Sequence, residues 1–438
     1  MDAIRAELIY SDGAFRPGRA VLLDADSFGG VIDVRDLSAE AAVDDWGDVA
    51  LVPGTVNAHG HAFQSLFKGF ADDRPFDSWR DDVLYPFSER LDGDAIYAGA
   101  LFAFAEAALA GVTTTVDFFY LHDEGNANAQ RVIRAARDIG IRLVLARTFY
   151  DRDAATRAPG RYRESIDDAA TRCIELAKSY AGDPCVSVQP APHSLHAASP
   201  ETIGRALEVG QQLGVPCHLH LAEASYEREQ IVARYGTTPV RLLEREGLLQ
   251  SHLVTVHTVW VDDEELDMLA DAGVGVVHCP GANAFLGDGI ARLPEMLTRG
   301  IRVGLGPDGG CANNRQDVFD EMRTASLMAK ARLRDGSAVE ARTAFALGTS
   351  GGADLLALRT GEIAKGLRAD LVALDLNDLS LQPLATLEQQ LVHSMRPTAI
   401  ARVMVGGAPV VEHGRLTRMD HAGIRRGIAE VTSEWTRP

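Results

Sequence analysis

The chain has 438 residues, 46% hydrophobic and 24% charged, which is the balance of an ordinary soluble globular protein with room for one large domain and a smaller one. A net charge of −19 opposes binding to nucleic acid or an anionic membrane. With no run of about 18 apolar residues and no signal-peptide core in Met1-Asp-Ala-Ile-Arg-Ala-Glu7, the expected location is the cytoplasm. In chain order, the first fifty residues read as short strands, Ala6 to Tyr10 and Arg19 to Asp24, separated by Gly and Asp turns. From residue 51 to about 350, apolar strands alternate with helical stretches. The strands begin at Leu51, Thr113, Arg142, Val186, Pro216, Leu253, Val274 and Val303, and the helices include Ala95 to Ala110, Glu201 to Leu213 and Asp262 to Ala272. About eight strands in such alternation predict an α/β fold with a closed (β/α)8 TIM-type barrel. The tail returns to strands at Asp370 to Asp375 and Ala401 to Val411, the latter with a Gly-Gly turn. The expected organisation is a catalytic barrel over 53–355 beside a small β-sandwich formed by both chain ends, 1–52 and 356–438.

The chemistry gathers at strand ends, where side chains of such a barrel converge. The run Leu51-Val-Pro-Gly-Thr-Val-Asn-Ala-His-Gly-His61 ends in two histidines spaced by one residue. In extended chain His59 and His61 face the same side, about 7 Å apart, and can share a metal ion. His220 with Glu223, then His257, then Asp308 close later apolar runs. Imidazole and carboxylate ligands with an open water position suit a hydrolytic zinc or iron site, in which the metal makes hydroxide available near neutral pH. Cys173, Cys185, Cys217, Cys279 and Cys311 are odd in number and lack Cys-x-x-Cys spacing, against a disulfide framework or thiolate zinc site.

The strings His59-Gly-His61, His218-Leu-His-Leu-Ala-Glu223, Val256-His257, His278-Cys-Pro-Gly-Ala-Asn283 and Gly306-Pro-Asp308 followed by Asn313-Asn314 resemble the amidohydrolase superfamily, in its branch of adenosine/S-adenosylhomocysteine, guanine and triazine deaminases and chlorohydrolases. The resemblance implies one divalent metal per chain, Zn2+ before Fe2+ or Mn2+, held by His59, His61, His220 and Asp308. It implies Glu223, His257 and Asp308 as proton carriers, a small-molecule substrate, and a homo-oligomer, dimer or larger. His193 matches a position that reaches substrate, and Gln64, Trp79, Arg80, Arg147 and His278 are the further candidate contacts.

Other readings compete. His218 faces the same way as His220 and is either the ligand or a core histidine. Glu223 by itself suits a helix N-terminal carboxylate satisfied by backbone amides. Asp117 reads as a structural tie at a strand end, and Glu106 as a lining group or the buried partner of an arginine. The candidate pocket walls are Phe63, Phe67, Trp79, Phe118 and Phe285, which suit a flat aminated N-heterocycle of purine, pterin, pyrimidine or triazine type. His61-Ala-Phe-Gln64 and Leu286-Gly-Asp-Gly-Ile290 are also similar to formimidoylglutamate deiminases, although His196 stands where an arginine for a substrate carboxylate is expected. A formimino acid would need such a cation, for which Arg80 and Arg147 are the candidates. Chlorohydrolysis is a further alternative. A non-catalytic scaffold is remote, since every ligand is intact.

Overall fold

The structure is a computed structural model that describes residues 2–152 and 158–436. Eight parallel strands form its centre: β1 (Thr55–Asn57), β2 (Val112–Phe119), β3 (Arg142–Phe149), β4 (Val186–Pro192), β5 (Cys217–Leu221), β6 (Leu253–His257), β7 (Gly275–His278) and β8 (Val303–Leu305). They lie in two arcs, β1 to β4 and β5 to β8. Backbone hydrogen bonds join the arcs at both seams, from the His220 N–H to the His193 carbonyl (3.1 Å) and from the Ala58 N–H to the Leu305 carbonyl (2.9 Å). Every residue of β2, β3 and β6 is buried, as expected of strands covered on both faces by connecting helices.

Local sequence explains where those helices begin and end. Pro200–Leu213 starts after Ser199, whose side chain accepts from the Thr202 N–H, carries Pro200 in its first turn and stops at Gly214 with φ +67°. Asp263–Asp271 opens with a reciprocal capping box between Asp262 and Glu265.

Both chain ends build two flanking sheets. In the seven-stranded one, Leu371–Asp375 lies between Val49–Pro53 and Ile400–Val405, and the four-stranded one contains Asp2–Arg5 and Arg19–Asp24. Ile4, Ile9, Val21, Phe28, Leu51, Leu371 and Met404 pack into one apolar cluster contributed by both. Gly406 and Gly407, both at positive φ, turn the hairpin between Ile400–Val405 and Ala408–Glu412. A buried, bidentate ion pair from Arg142 at the start of β3 to Asp370, at 2.9 and 3.0 Å, ties barrel to flank.

Two features differ from the sequence reading. The apolar run at Leu51 is two strands: Val49–Pro53 pairs with Leu371–Asp375 in the flanking sheet, and only Thr55–Asn57, beyond Gly54, enters the barrel. The tail also ends in a helix, His421–Thr432, capped by Asp420 and packed against Gly93–Leu109. Among the described residues no helix is long and apolar enough to cross a membrane.

Candidate active site

His59 and His61 leave the end of β1 in chain held from both sides, the His59 carbonyl accepting from the Asp308 N–H at 3.1 Å and the Gly60 carbonyl from the Phe118 N–H at 2.7 Å. Asn57 fixes this exit, its side-chain oxygen accepting from the His59 N–H at 3.0 Å. Asp117 in β2 accepts from the Ala62 N–H at 2.7 Å, so it is a tie for the ligand loop; burial lifts its carboxyl to about 7. Gly306 passes so close that a Cβ there would lie 2.7 Å from the His59 carbonyl oxygen. At the opposite exits the chain turns through left-handed, non-glycine residues, Ala222 (φ +52°), His257 (+70°) and Asp308 (+66°). Such backbone strain gathers where a fold over-determines a functional geometry.

These exits bring four donors to one point. His59 Nε2 lies 3.2 Å and His61 Nε2 3.4 Å from Asp308 Oδ1, and His220 Nε2 lies 3.2 Å from His59 Nε2. A tetrahedral ion with bonds of about 2.0–2.1 Å spaces its ligand atoms by about 3.4 Å, so the donors fit a zinc-sized divalent cation. The partners at the far side of two rings agree: His61 Nδ1 meets the Phe118 carbonyl at 2.7 Å and His220 Nδ1 the His193 carbonyl at 2.8 Å. A carbonyl only accepts, so each Nδ1 carries the proton and each Nε2 lone pair faces the centre. Burial lowers all three imidazoles, His59 to about 3, keeping them neutral as ligands require. Asp308 is also pushed up by burial, but the His59 hydrogen bond and the neighbouring imidazoles outweigh this and leave it below the usual carboxylate range.

His257 and Glu223 stand beside this centre. His257 Nε2 is 3.6 Å from Glu223 Oε1 and 4.0 Å from Asp308 Oδ2. Glu223 does not serve as a helix-terminal carboxylate: Glu227, in the first turn of Ser225–Tyr235, takes that role by accepting from the Glu223 N–H at 2.9 Å. The Glu223 side chain therefore faces the cleft. Burial, with Asp288, Asp308 and Glu227 nearby, holds its carboxyl well above the ordinary range. His218, two residues before His220, turns instead to the Gln189 side-chain oxygen at 2.7 Å and is a core histidine.

Residues 50–410 match the family model described as "Amidohydrolase family". The chain belongs to the amidohydrolase family. Among similar proteins, a 5-methylthioadenosine/S-adenosylhomocysteine deaminase of Syntrophobacter fumaroxidans is 33% identical over 435 residues, 96% of each chain. A 5'-deoxyadenosine deaminase of Methanothermobacter thermautotrophicus is 33% identical over 91% of this chain and 90% of its own. An adenosine deaminase from Xanthomonas campestris, solved with bound zinc, superposes with a TM-score of 0.92 at 28% identity, covering 99% of this chain and 98% of that one. The two flanking sheets and the parallel barrel thus belong to an amidohydrolase fold shared along the whole chain.

Above the amidohydrolase donors lies a narrow cleft that leaves about 50 Å3 to the centres of water-sized molecules. Gln64, Trp79, Arg80 and His193 line it, as does His196. Trp79–Leu84 is wound as a π-helix, which brings Trp79, Arg80 and Leu84 to the cleft. The Trp79 indole N–H donates to the Cys311 carbonyl at 2.9 Å, and the Gln64 amide donates to the Tyr120 hydroxyl at 2.8 Å. Arg80 is paired with Asp77 and Asp81 and sits against the rings of Phe76, Tyr85 and Tyr226.

Several expected contacts lie elsewhere. Arg147 is fully buried among Glu164 and Asn126 and does not line the cleft. Its side chain projects to the outer side of β3, so it cannot meet a substrate carboxylate there. His278 is buried outside the cleft lining, close enough to His257 for the two imidazoles to disfavour each other's charge. Phe63 and Phe67 pack into the core, Phe118 meets the rings of His59, His61 and His220 edge-on, and Phe285 is 39% exposed at the surface. The aromatic wall is instead Phe76, Trp79, Tyr85, Tyr120 and Tyr226. Glu106 pairs with Lys68 at 2.7 Å, not with an arginine, and lies away from the cleft. Sequence reasoning also left Glu227, Asn283 and Asp288 without roles. Glu227 was signalled by its place in the first turn after Glu223, and Asn283 by the string that begins at His278.

Proposed function

We propose that the protein is a hydrolytic deaminase that releases ammonia from an aminated N-heterocycle, with aminopurines of the adenosine type as the leading substrate class and one zinc ion as its metal. The observation that carries this reading is the pairing of the convergent donors His59, His61, His220 and Asp308 with a carboxyl, Glu223, that burial pushes well above the ordinary range and that makes no hydrogen bond of its own among the described residues. The names of the relatives, all deaminases of adenosine derivatives, support it.

His59, His61, His220 and Asp308 would hold the ion, which when bound supplies a hydroxide nucleophile near neutral pH and polarises the site. Glu223 gives its proton to the ring nitrogen next to the aminated carbon, which must become an amine as that carbon turns tetrahedral. Asp308 receives the first proton of the attacking water and passes it to the departing amino group, while His257, beside Asp308 and Glu223, holds the reacting atoms by a hydrogen bond. A C–O bond forms, the C–N bond breaks and ammonia leaves. The proton remaining on the new oxygen returns to Glu223 as the carbonyl forms. The aromatic wall covers the faces of a flat ring while Gln64 and His193 meet its edge.

One observation favours a second reading, a formimino-acid deiminase: Arg80 is the single Lys or Arg among the described lining residues. Its charge is already matched by Asp77 and Asp81, which places that reading behind. Chlorohydrolysis stands third, because a halide gains least from ring protonation by Glu223. The test is an ammonia-release screen of metal-loaded protein against aminopurines, aminopyrimidines, pterins, triazines and formimino acids, repeated after chelation. Ammonia from an amino-heterocycle, lost on chelation and restored by zinc, is expected; its absence across all of them would defeat the proposal.

A further inference from the structure

The histidines around the donor centre differ in what faces their Nδ1 atoms, and this difference sorts ligands from non-ligands. His61 and His220 each present Nδ1 to a backbone carbonyl. His257 presents Nδ1 to the side-chain amide nitrogen of Asn283 at 3.2 Å. That same nitrogen lies 3.5 Å from Asp288 Oδ2, so the NH2 group sits between two acceptors, while the Asn283 side-chain oxygen, Oδ1, has no partner among the described residues. An amide NH2 only donates, so Nδ1 of His257 carries a lone pair and Nε2 carries the proton.

We infer that Asn283 is a positioning residue that fixes His257 in the Nε2–H tautomer, opposite to that of the metal-ligating histidines. The Nε2–H then points into the cleft, toward Glu223 Oε1 and Asp308 Oδ2, where it can donate to substrate but offers no lone pair to a cation. Asn283 is suited to this task. It is buried at 1% exposure in the short helix Pro280–Leu286, and its backbone is anchored at both sides, by its own N–H to the Cys279 carbonyl and by its carbonyl to the Asp288 N–H. Asp288, buried at 4% exposure, holds the far side of the amide and stops it from turning over, because a flipped amide would set its oxygen against that carboxyl. A ring held in the wrong tautomer can cost an enzyme up to about 10⁴-fold in turnover with its geometry intact.

This inference rests on the proposed role of His257 as a group that meets the reacting atoms without ligating the metal, and the experiment separates the two. The zinc-loaded protein, labelled with 15N at histidine, is examined by long-range 15N–1H NMR, the His257 signals being assigned by their loss in His257→Asn. A pyridine-type Nδ1 and a pyrrole-type Nε2 are expected; a protonated Nδ1 in the wild-type protein overturns the inference whatever the substrate proves to be. In Asn283→Asp the new carboxylate accepts from Nδ1–H and should invert the pattern, with metal content unchanged, KM within about threefold and kcat lower by on the order of a hundredfold. Asn283→Leu, which removes the donor without adding charge, should lose kcat in the same way. Retention of turnover within threefold by either folded variant also overturns the inference. If instead His257→Asn loses its metal, the division between ligands and non-ligands fails on its own account.

Discussion

Replacing Glu223 by Gln isolates the proton from everything else the side chain does. The Glu223 carboxyl makes no hydrogen bond among the described residues, its side chain is 13% exposed, and burial beside three carboxyls pushes it well above the ordinary range, toward the neutral form. A glutamine of nearly the same volume therefore loses no native partner and introduces no charge, so stability should change by no more than about 0.5 kcal/mol. Metal content should also persist, since no ligand is touched. Positioned proton transfer is worth about 10²–10⁴ in rate, so kcat should fall by at least about a hundredfold, or roughly 3 kcal/mol of barrier. Steady-state ammonia release, elemental analysis and urea denaturation on the same preparation measure the three effects. The loss should shrink on an analogue carrying a halide in place of the amino group, because a halide leaves without ring protonation. A Gln variant that turns over within threefold of wild type, or one that arrives without metal, would refute the assignment of Glu223.

The proposed single metal site predicts about one tightly held ion per chain by elemental analysis, and its loss in His61→Ala or His220→Ala. Arg147→Met should destabilise the fold by about 1–3 kcal/mol in denaturant titrations, since it removes one of the two arginines paired with the nearly buried Glu164 and leaves Arg172 as the other. It should leave KM unchanged, whereas Arg80→Met, in the cleft wall, should raise KM while sparing the fold. Asp117 has a folded pKa raised to about 7 from 3.8, so the unfolded chain ionises first and the wild-type protein loses stability as pH rises between those values. Asp117→Asn lacks this loss. Measured on metal-depleted protein, the variant's relative stability should climb from pH 4 to pH 7 and level off above it, and a pH-independent difference would contradict the raised pKa.

The convergence of His59, His61, His220 and Asp308 was legible because extended chain obliges His59 and His61 to share a side and because each later donor closes an apolar run at a barrel exit. The walls were legible only in part, Trp79 lining the cleft as expected while Phe63, Phe67, Phe118 and Phe285 do not, and for a physical reason. Phe63, Phe67 and Phe118 stand within a few residues of the ligands, yet the ring that faces a cleft is chosen by loop paths and packing, which composition does not encode. The wall comes from the π-wound segment at Trp79–Leu84 and from Tyr226 across the barrel, and neither follows from sequence spacing. Arg147 was misread for the same reason: alternation along β3 puts successive side chains on opposite faces, and which face is inward was undetermined until Glu164 and Asn126 were seen around the guanidinium. The split at Gly54 shows a related limit, since a continuous apolar run carries no mark of where it leaves one sheet and enters another. The terminal helix His421–Thr432, by contrast, had a visible cap in Asp420 and was missed because the strands before it dominated the reading.

The most direct test of the central claim is the ratio of kcat/KM for adenosine or 5'-methylthioadenosine to that for N-formiminoglutamate, measured by ammonia release with the zinc-loaded protein. A ratio well above one is predicted, because the aromatic cleft covers a flat ring and Arg80, the single Lys or Arg among its described lining residues, is already paired. A ratio well below one, with no ammonia from any purine, pterin or triazine, would contradict the account.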